Sequence, residues 1–124
     1  MKIRIVGSMK FYDKFLKARS ALEAKGNTII LPPKDRVVMD KEIKRKQMEK
    51  FLQDLTSVDA VLVMNFDKDS KTRSYVGANT LMEIGMAFLN NKKIYVLNTP
   101  PESCKEELEA LDCVYLNGDI NRLY

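Results

Sequence analysis

Ala60-Val61-Leu62-Val63-Met64 is the most continuous apolar run of the chain. With no polar residue alternating along it, it reads as a central strand covered on both faces. Such strands belong to parallel sheets flanked by helices, so this stretch decides the fold class. Upstream, Ile3 to Val6 is a short run rich in β-branched residues that ends at Gly7-Ser8, a strand followed by a turn. Phe11 to Ala24 carries Phe11, Phe15, Ala18 and Leu22 at spacings of three and four, which predicts an amphipathic helix. Gly26 stands just past its end, where a left-handed residue is wanted. Thr28 to Leu31 is a second apolar strand, stopped by Pro32-Pro33.

After a charged stretch, Glu42 to Leu55 reads as a helix with Ile43, Met48, Phe51, Leu52 and Leu55 inward. Downstream of the central run the pattern predicts a helix over Thr80–Leu89, a strand over Lys93–Leu97, a helix over Ser103–Leu111 and a last strand over Val114–Leu116. Strands alternating with helices need crossover connections, hence a parallel sheet with helices on both faces. The expectation is an α/β fold: one domain over residues 1–124, a three-layer flavodoxin- or Rossmann-like sandwich whose five strands run in the order 2-1-3-4-5.

Composition narrows the chemistry. The chain has 124 residues, 45% hydrophobic and 31% charged, which suits a globular domain rather than a disordered one. It contains no His, which excludes His-based triads, His general bases and His-ligated metals. Two cysteines, Cys104 and Cys113, are too few for a zinc site or a disulfide framework and read as reduced structural thiols. No metal or other cofactor is expected. The start lacks the apolar core of a signal peptide, and no run is long enough to span a membrane, so a cytoplasmic protein with no membrane partner is expected. A net charge of +4 suits anionic small ligands as well as nucleic acid.

In an open α/β sheet, ligands bind beyond the carboxyl ends of the strands, at the switch in strand order. Here that places Gly7-Ser8 opposite Asn65 and the aperiodic stretch 65–79. Gly7 would let the backbone approach a ligand, although a simple tight turn explains the same residues. No G-x-G-x-x-G or P-loop motif is present, which disfavours dinucleotide and P-loop triphosphate binding. Glu83 interrupts Leu81-Met82-Glu83-Ile84-Gly85-Met86-Ala87-Phe88-Leu89, a helix otherwise apolar on every face and therefore expected to be buried. A buried acid needs compensation. One account is structural: Thr80-x-x-Glu83 has the spacing of a capping box, as does Ser103-x-x-Glu106. The other is functional: a poorly hydrated carboxylate in a first helical turn, steadied by small Gly85 and Ala87, suits nucleophilic attack on an anomeric carbon. Asn79 and Thr80 read equally as caps or as ribose ligands, and Tyr75 as a base-stacking or an exposed ring. The run Lys41-Glu42-Ile43-Lys44-Arg45-Lys46 reads as a solvated helix face, with attraction of phosphate as the alternative.

Together these residues resemble a known family. Gly7-Ser8, Ser57-Val58-Asp59-Ala60-Val61-Leu62-Val63 and Leu81-Met82-Glu83-Ile84-Gly85-Met86-Ala87 followed by Lys92-Lys93-Ile94 are similar to the nucleoside 2-deoxyribosyltransferase-like superfamily, which includes the 2′-deoxynucleoside 5′-phosphate N-hydrolases. Tyr75-Val76-Gly77-Ala78-Asn79-Thr80-Leu81-Met82-Glu83 and Leu116-Asn117-Gly118-Asp119 resemble a subgroup of short microbial members. The resemblance implies that Glu83 is the nucleophile and that Gly7, Ser8 and Met9 form a loop touching sugar or phosphate. It implies further ligand contacts from Asn65, Tyr75, Gly77, Asn79 and Thr80, and a homodimer or higher homo-oligomer. Phe51 stands eight residues before Asp59, where characterised members carry an acid, and Asp54 is the nearest acid on that helix. Gly77 stands where they carry Ser or Asp, and Arg4 where they carry Tyr.

The reading is N-glycosidic bond cleavage or transfer on a nucleoside or nucleotide, with Glu83 attacking C1′ and Asp54 protonating the leaving base or orienting Glu83. No specific nucleic-acid partner is expected. The alternative is a non-catalytic nucleotide-binding module on the same fold.

Overall fold

A computed structural model describes residues 1–34 and 40–123. The elements are β1 (Lys2–Val6), α1 (Tyr12–Glu23), β2 (Thr28–Ile30), α2 (Lys41–Ser57), β3 (Ala60–Val63), α3 (Ala78–Leu89), β4 (Lys93–Val96), α4 (Lys105–Ala110) and β5 (Val114–Tyr115). Short 3₁₀ turns precede α1 and α4, at Met9–Phe11 and Glu102–Cys104. All strand pairs are parallel, and the sheet order is β2-β1-β3-β4-β5, as the pattern of elements predicts. The charged stretch after Pro33 lies partly outside the described residues.

β3 is central, and all four of its residues are buried. Its register pairs Ile3 with Ala60 and Val6 with Val63 on one side, and Ala60 with Lys93 and Val63 with Val96 on the other. Strand alternation then divides the core between the two faces. Ile3, Ile5, Ala60, Leu62 and Tyr95 pack with Phe11, Phe15, Ala18 and Leu22 around α1. Val6, Val61, Val63, Ile94 and Val96 pack with Phe51 and Leu55 of α2, Ile84 and Ala87 of α3 and Leu108 of α4. Arg4 shares the second face by the same alternation and is buried there, which obliges the fold to supply it with a partner.

Gly7 ends β1 with φ +154°, a conformation that side chains rarely adopt. A Cβ there would lie 2.9 Å from the Met64 carbonyl oxygen and 3.1 Å from the Phe15 ring. Gly7→Ala is therefore expected to lower stability by about 2–3 kcal/mol, read as a fall in Tm of roughly 10 °C. A Tm within about 2 °C of the parent would show that the strand end relaxes freely.

Helix readings are corrected in five places. α3 begins at Ala78 with Gly77 as its N-cap and no side-chain cap, so Thr80-x-x-Glu83 is not a capping box. Ser103-x-x-Glu106 is not one either: the segment opens as a 3₁₀ turn, and α4 has Cys104 at its N-cap position. α3 is not buried all round, since Met82, Phe88 and Leu89 are exposed, Leu89 to 78%. Gly85 faces open space rather than the sheet, with nothing within 4 Å of where a Cβ would stand. On α2, Leu52 points outward and is 44% exposed, while Phe51 and Leu55 are buried. Packing explains the last three: one stripe of each helix covers the sheet, and residues beyond that stripe remain outside.

Candidate functional site

The long connection between β3 and α3 is an ordered loop. The Tyr75 amide donates to the Phe66 carbonyl at 2.8 Å and that of Lys68 to the Thr72 carbonyl at 2.9 Å. Asp67 Oδ1 accepts from the Ser74 amide at 2.9 Å. Asp69 Oδ1 accepts from the amides of Lys71 and Thr72, which hold its carboxyl below its ordinary pKa. Ser74 takes a left-handed φ of 52° and turns the chain toward α3. Tyr75 then covers Gly77, with its hydroxyl 2.8 Å from where a Gly77 Cβ would stand. A Ser or Asp at that position would therefore displace the ring.

This loop and the β1 turn enclose a cleft of about 350 Å³ at the carboxyl ends of the central strands. It is lined by Gly7, Ser8, Met9, Tyr75, Gly77, Asn79 and Thr80, with Lys10 and Lys44 at its edges. Seven of the ligand-contacting residues expected from the sequence are thus brought together. Asn65 is not among them. It is fully buried, and its Nδ2 donates to the carbonyls of Asn98 (3.3 Å) and Thr99 (3.0 Å). Its Oδ1 accepts from the Asn98 amide at 2.9 Å, and Asn98 Nδ2 returns a bond of 2.8 Å to the Asn65 carbonyl. The side chain ties the loop after β3 to the loop after β4.

Glu83 lies one turn further along α3 than Asn79, in the second turn of the helix rather than the first. It lines a neighbouring cleft of about 240 Å³ between α2, α3 and the β2 exit. Pro32, Pro33, Ile43, Met48 and Met82 give this cleft apolar walls, and Arg4, Lys44, Lys46 and Lys50 give it cations. Among the described residues Glu83 is the one carboxylate lining it. Asn79 and Lys44 line both clefts.

Asp54 lines neither cleft. It is buried behind the Glu83 cleft, where its Oδ2 accepts from Arg4 Nε at 3.0 Å and its Oδ1 from Lys50 Nζ at 2.6 Å. The Arg4 guanidinium also donates to the Ile5 carbonyl and lies 5.0 Å from the Phe51 ring centroid. Phe51, at the position of the family's acid, thus forms part of the setting of Arg4. Sequence reasoning missed Arg4 and Lys50 as site residues, while Lys44 belongs to the run read as a solvated helix face with attraction of phosphate as the alternative. Two signals pointed to Arg4 and Lys50: a lone charge inside a buried strand, and the i,i+4 spacing of Lys50 and Asp54.

The thiols offer no competing chemistry. Both cysteines are free, and Cys113, pushed up to about 11 by burial and then by the Asp112 charge, stays protonated near neutral pH. Among the described residues no group of three or more Cys, Asp or Glu is placed to hold a metal ion, and no helix is long and apolar enough to cross a membrane.

No protein-family model matches the chain, and no curated protein matches it in sequence. Solved structures do. A 2-deoxyribosyltransferase from Bacillus psychrosaccharolyticus superposes with a TM-score of 0.73 at 15% identity, over 99% of this chain and 90% of that one. The CMP N-glycosidase BcmB of Clostridium botulinum gives 0.62 at 15% identity, over 98% and 93%. A conserved protein from Enterococcus faecalis V583 gives 0.54 at 18% identity, over 90% and 74%. The chain shares the fold of the 2-deoxyribosyltransferase and the CMP N-glycosidase.

Proposed function

We propose that this chain cleaves or transfers the N-glycosidic bond of a nucleoside or nucleotide. The observation that carries the reading is the position of Glu83: half-buried, in an apolar-walled cleft that shares Asn79 and Lys44 with the strand-end cleft. A Glu83 oxygen attacks C1′ as the bond to the base nitrogen breaks, through a transition state with oxocarbenium character. The base departs with the bonding electron pair and takes up a proton. The glycosyl ester on Glu83 is then resolved by water, giving the free sugar, or by the nitrogen of a second base. Fold likeness to a 2-deoxyribosyltransferase and a CMP N-glycosidase supports the same chemistry.

One observation favours a second reading, a nucleotide-binding module without turnover. Both oxygens of Asp54 are engaged by Arg4 and Lys50, so Asp54 is poorly placed to hand a proton to a leaving base. The experiment is incubation with a panel of deoxynucleosides, ribonucleosides and their 5′-monophosphates, with chromatography for free base. Base release establishes the enzyme; saturable binding with no free base establishes the module.

The apolar residues left outside by α3 and α2, namely Met82, Phe88, Leu89 and Leu52, suit coverage by a second copy of the chain. Met82 also lines the Glu83 cleft, so the partner would wall the site. Sedimentation is expected to show a dimer that the Phe88→Glu/Leu89→Asp variant converts to monomer. A monomeric parent at tens of micromolar would remove this part of the reading.

A further inference from the structure

A third cleft, of about 910 Å³, shares no lining residue with the two already described. The first part of the loop after β3 forms one wall and the segment after β4 another, with Lys14 of α1 beside them. Its cations come from three parts of the chain: Lys14, the loop residues Lys71 and Arg73, and Lys105. Asp67 and Glu102 also line it, which leaves a formal excess of two positive charges. Among the described residues none of these six belongs to an ion pair. Asp67 is engaged within the loop, its Oδ1 accepting from the Ser74 amide at 2.9 Å, and Glu102 is exposed to water. Lys14 stands with its Nζ 4.2 Å from the Phe66 ring centroid.

Ser74 gives an independent sign of a ligand. The residue is 9% exposed, yet its hydroxyl has no hydrogen-bond partner among the described residues and is not sealed from solvent. Since Ser74 lines this cleft, the cleft is where that hydroxyl meets a partner. Turn hydrogen bonds to Asp67 and Asp69 hold the backbone of Lys71, Thr72 and Ser74 before any ligand arrives.

We propose that this cleft is a second ligand site and that it takes a polyphosphate chain. A neutral ligand gains nothing from unpaired cations drawn from three segments, and a single phosphate is too small to meet them all across a cleft of this volume. A chain of linked phosphates carries its charge along its length. Lys71 and Arg73 hold it from the loop, Lys14 and Lys105 from the neighbouring segments, and the Ser74 hydroxyl donates to one of its oxygens. A free chain and the phosphates of a nucleotide offer the same chemistry, and the test separates them. The site goes beyond the glycosidic reading and does not depend on it, because no residue lines both this cleft and either of the others.

The test is calorimetry of the full chain with sodium triphosphate and, separately, with a nucleoside triphosphate, in metal-free buffer. Saturable binding is expected for the parent. Lys71→Met/Arg73→Met should weaken it by about tenfold or more and Ser74→Ala by about threefold or more. Each variant should keep its Tm within about 2 °C of the parent, which separates lost contacts from lost structure. Lys10→Met/Lys44→Met, in the strand-end cleft, should leave triphosphate affinity unchanged. Equal affinity for the two probes assigns the site to the chain itself, and a tenfold or greater preference, on the order of 1.4 kcal/mol, for the nucleotide assigns it to a nucleotide's phosphates; either result supports the site. No saturable binding up to about 1 mM overturns the proposal. So does parent-like affinity in the Lys71/Arg73 and Ser74 variants, or an equal loss in the Lys10/Lys44 variant. Base release by the parent is a separate assay and decides the glycosidic reading whichever way this one falls.

Discussion

Glu83→Gln is expected to abolish base release, lowering the rate by a factor on the order of 10³ or more while the protein stays folded. The amide is nearly isosteric with the acid but has no anionic oxygen to attack C1′, so no glycosyl ester forms. Binding should survive, because the apolar walls of the cleft and the Gly7-Ser8 turn are untouched. Gln keeps the size of the side chain and a hydrogen-bonding oxygen, and Glu83 does not cap the helix, so Tm should stay within a few degrees of the parent. Those two outcomes together separate a nucleophile from a structural carboxylate. Steady-state base release by chromatography and thermal unfolding of the same preparation provide both readings. If the variant retained more than a tenth of the parent activity, the nucleophilic role would be lost.

The second large effect is on stability. Asp54→Ala should lower the unfolding free energy by about 3–5 kcal/mol, because Arg4 keeps its buried position and its charge while losing its carboxylate. In a chain of this length that is a fall in Tm well above about 10 °C. The paired change Arg4→Met/Asp54→Leu removes the charge along with its partner and should restore most of the loss. Urea unfolding of the two single variants and the double closes the cycle. Additive losses, with no recovery in the double, would mean that the two residues act independently.

The ion pair also shows why some of the site was hard to read from sequence. Arg4 looks anomalous in a β-branched strand, and Asp54 looks like a spare acid on an amphipathic helix. Nothing in one dimension relates positions that lie fifty residues apart. Only the parallel pairing of β1 with β3, and the packing of α2 on that face, bring them within 3.0 Å. Asn65 was misleading for a related reason. A polar residue at the end of a buried strand serves a ligand or a neighbouring loop equally well, and here four hydrogen bonds with the 98–99 backbone and the Asn98 amide occupy it. The capping boxes illustrate a different limit. A Ser/Thr-x-x-Glu spacing stabilises a helix start only if the helix starts there, and α3 has its N-cap at Gly77, three residues before Thr80.

The sequence by itself determined the architecture. Doubly apolar β3, the alternation of strands with helices, and the glycine at the end of β1 admit few arrangements other than a parallel sheet in the observed order, because backbone hydrogen bonding and right-handed crossovers are generic constraints. It also singled out Glu83, since one carboxylate in an apolar helix is conspicuous wherever the helix lies. Tertiary structure alone decided which groups surround that carboxylate: the division into two clefts, the lysines that border them, and the withdrawal of Asp54 behind Arg4. Those outcomes depend on which side chains meet across elements distant in the chain. Such meetings are set by register and packing, not by local pattern.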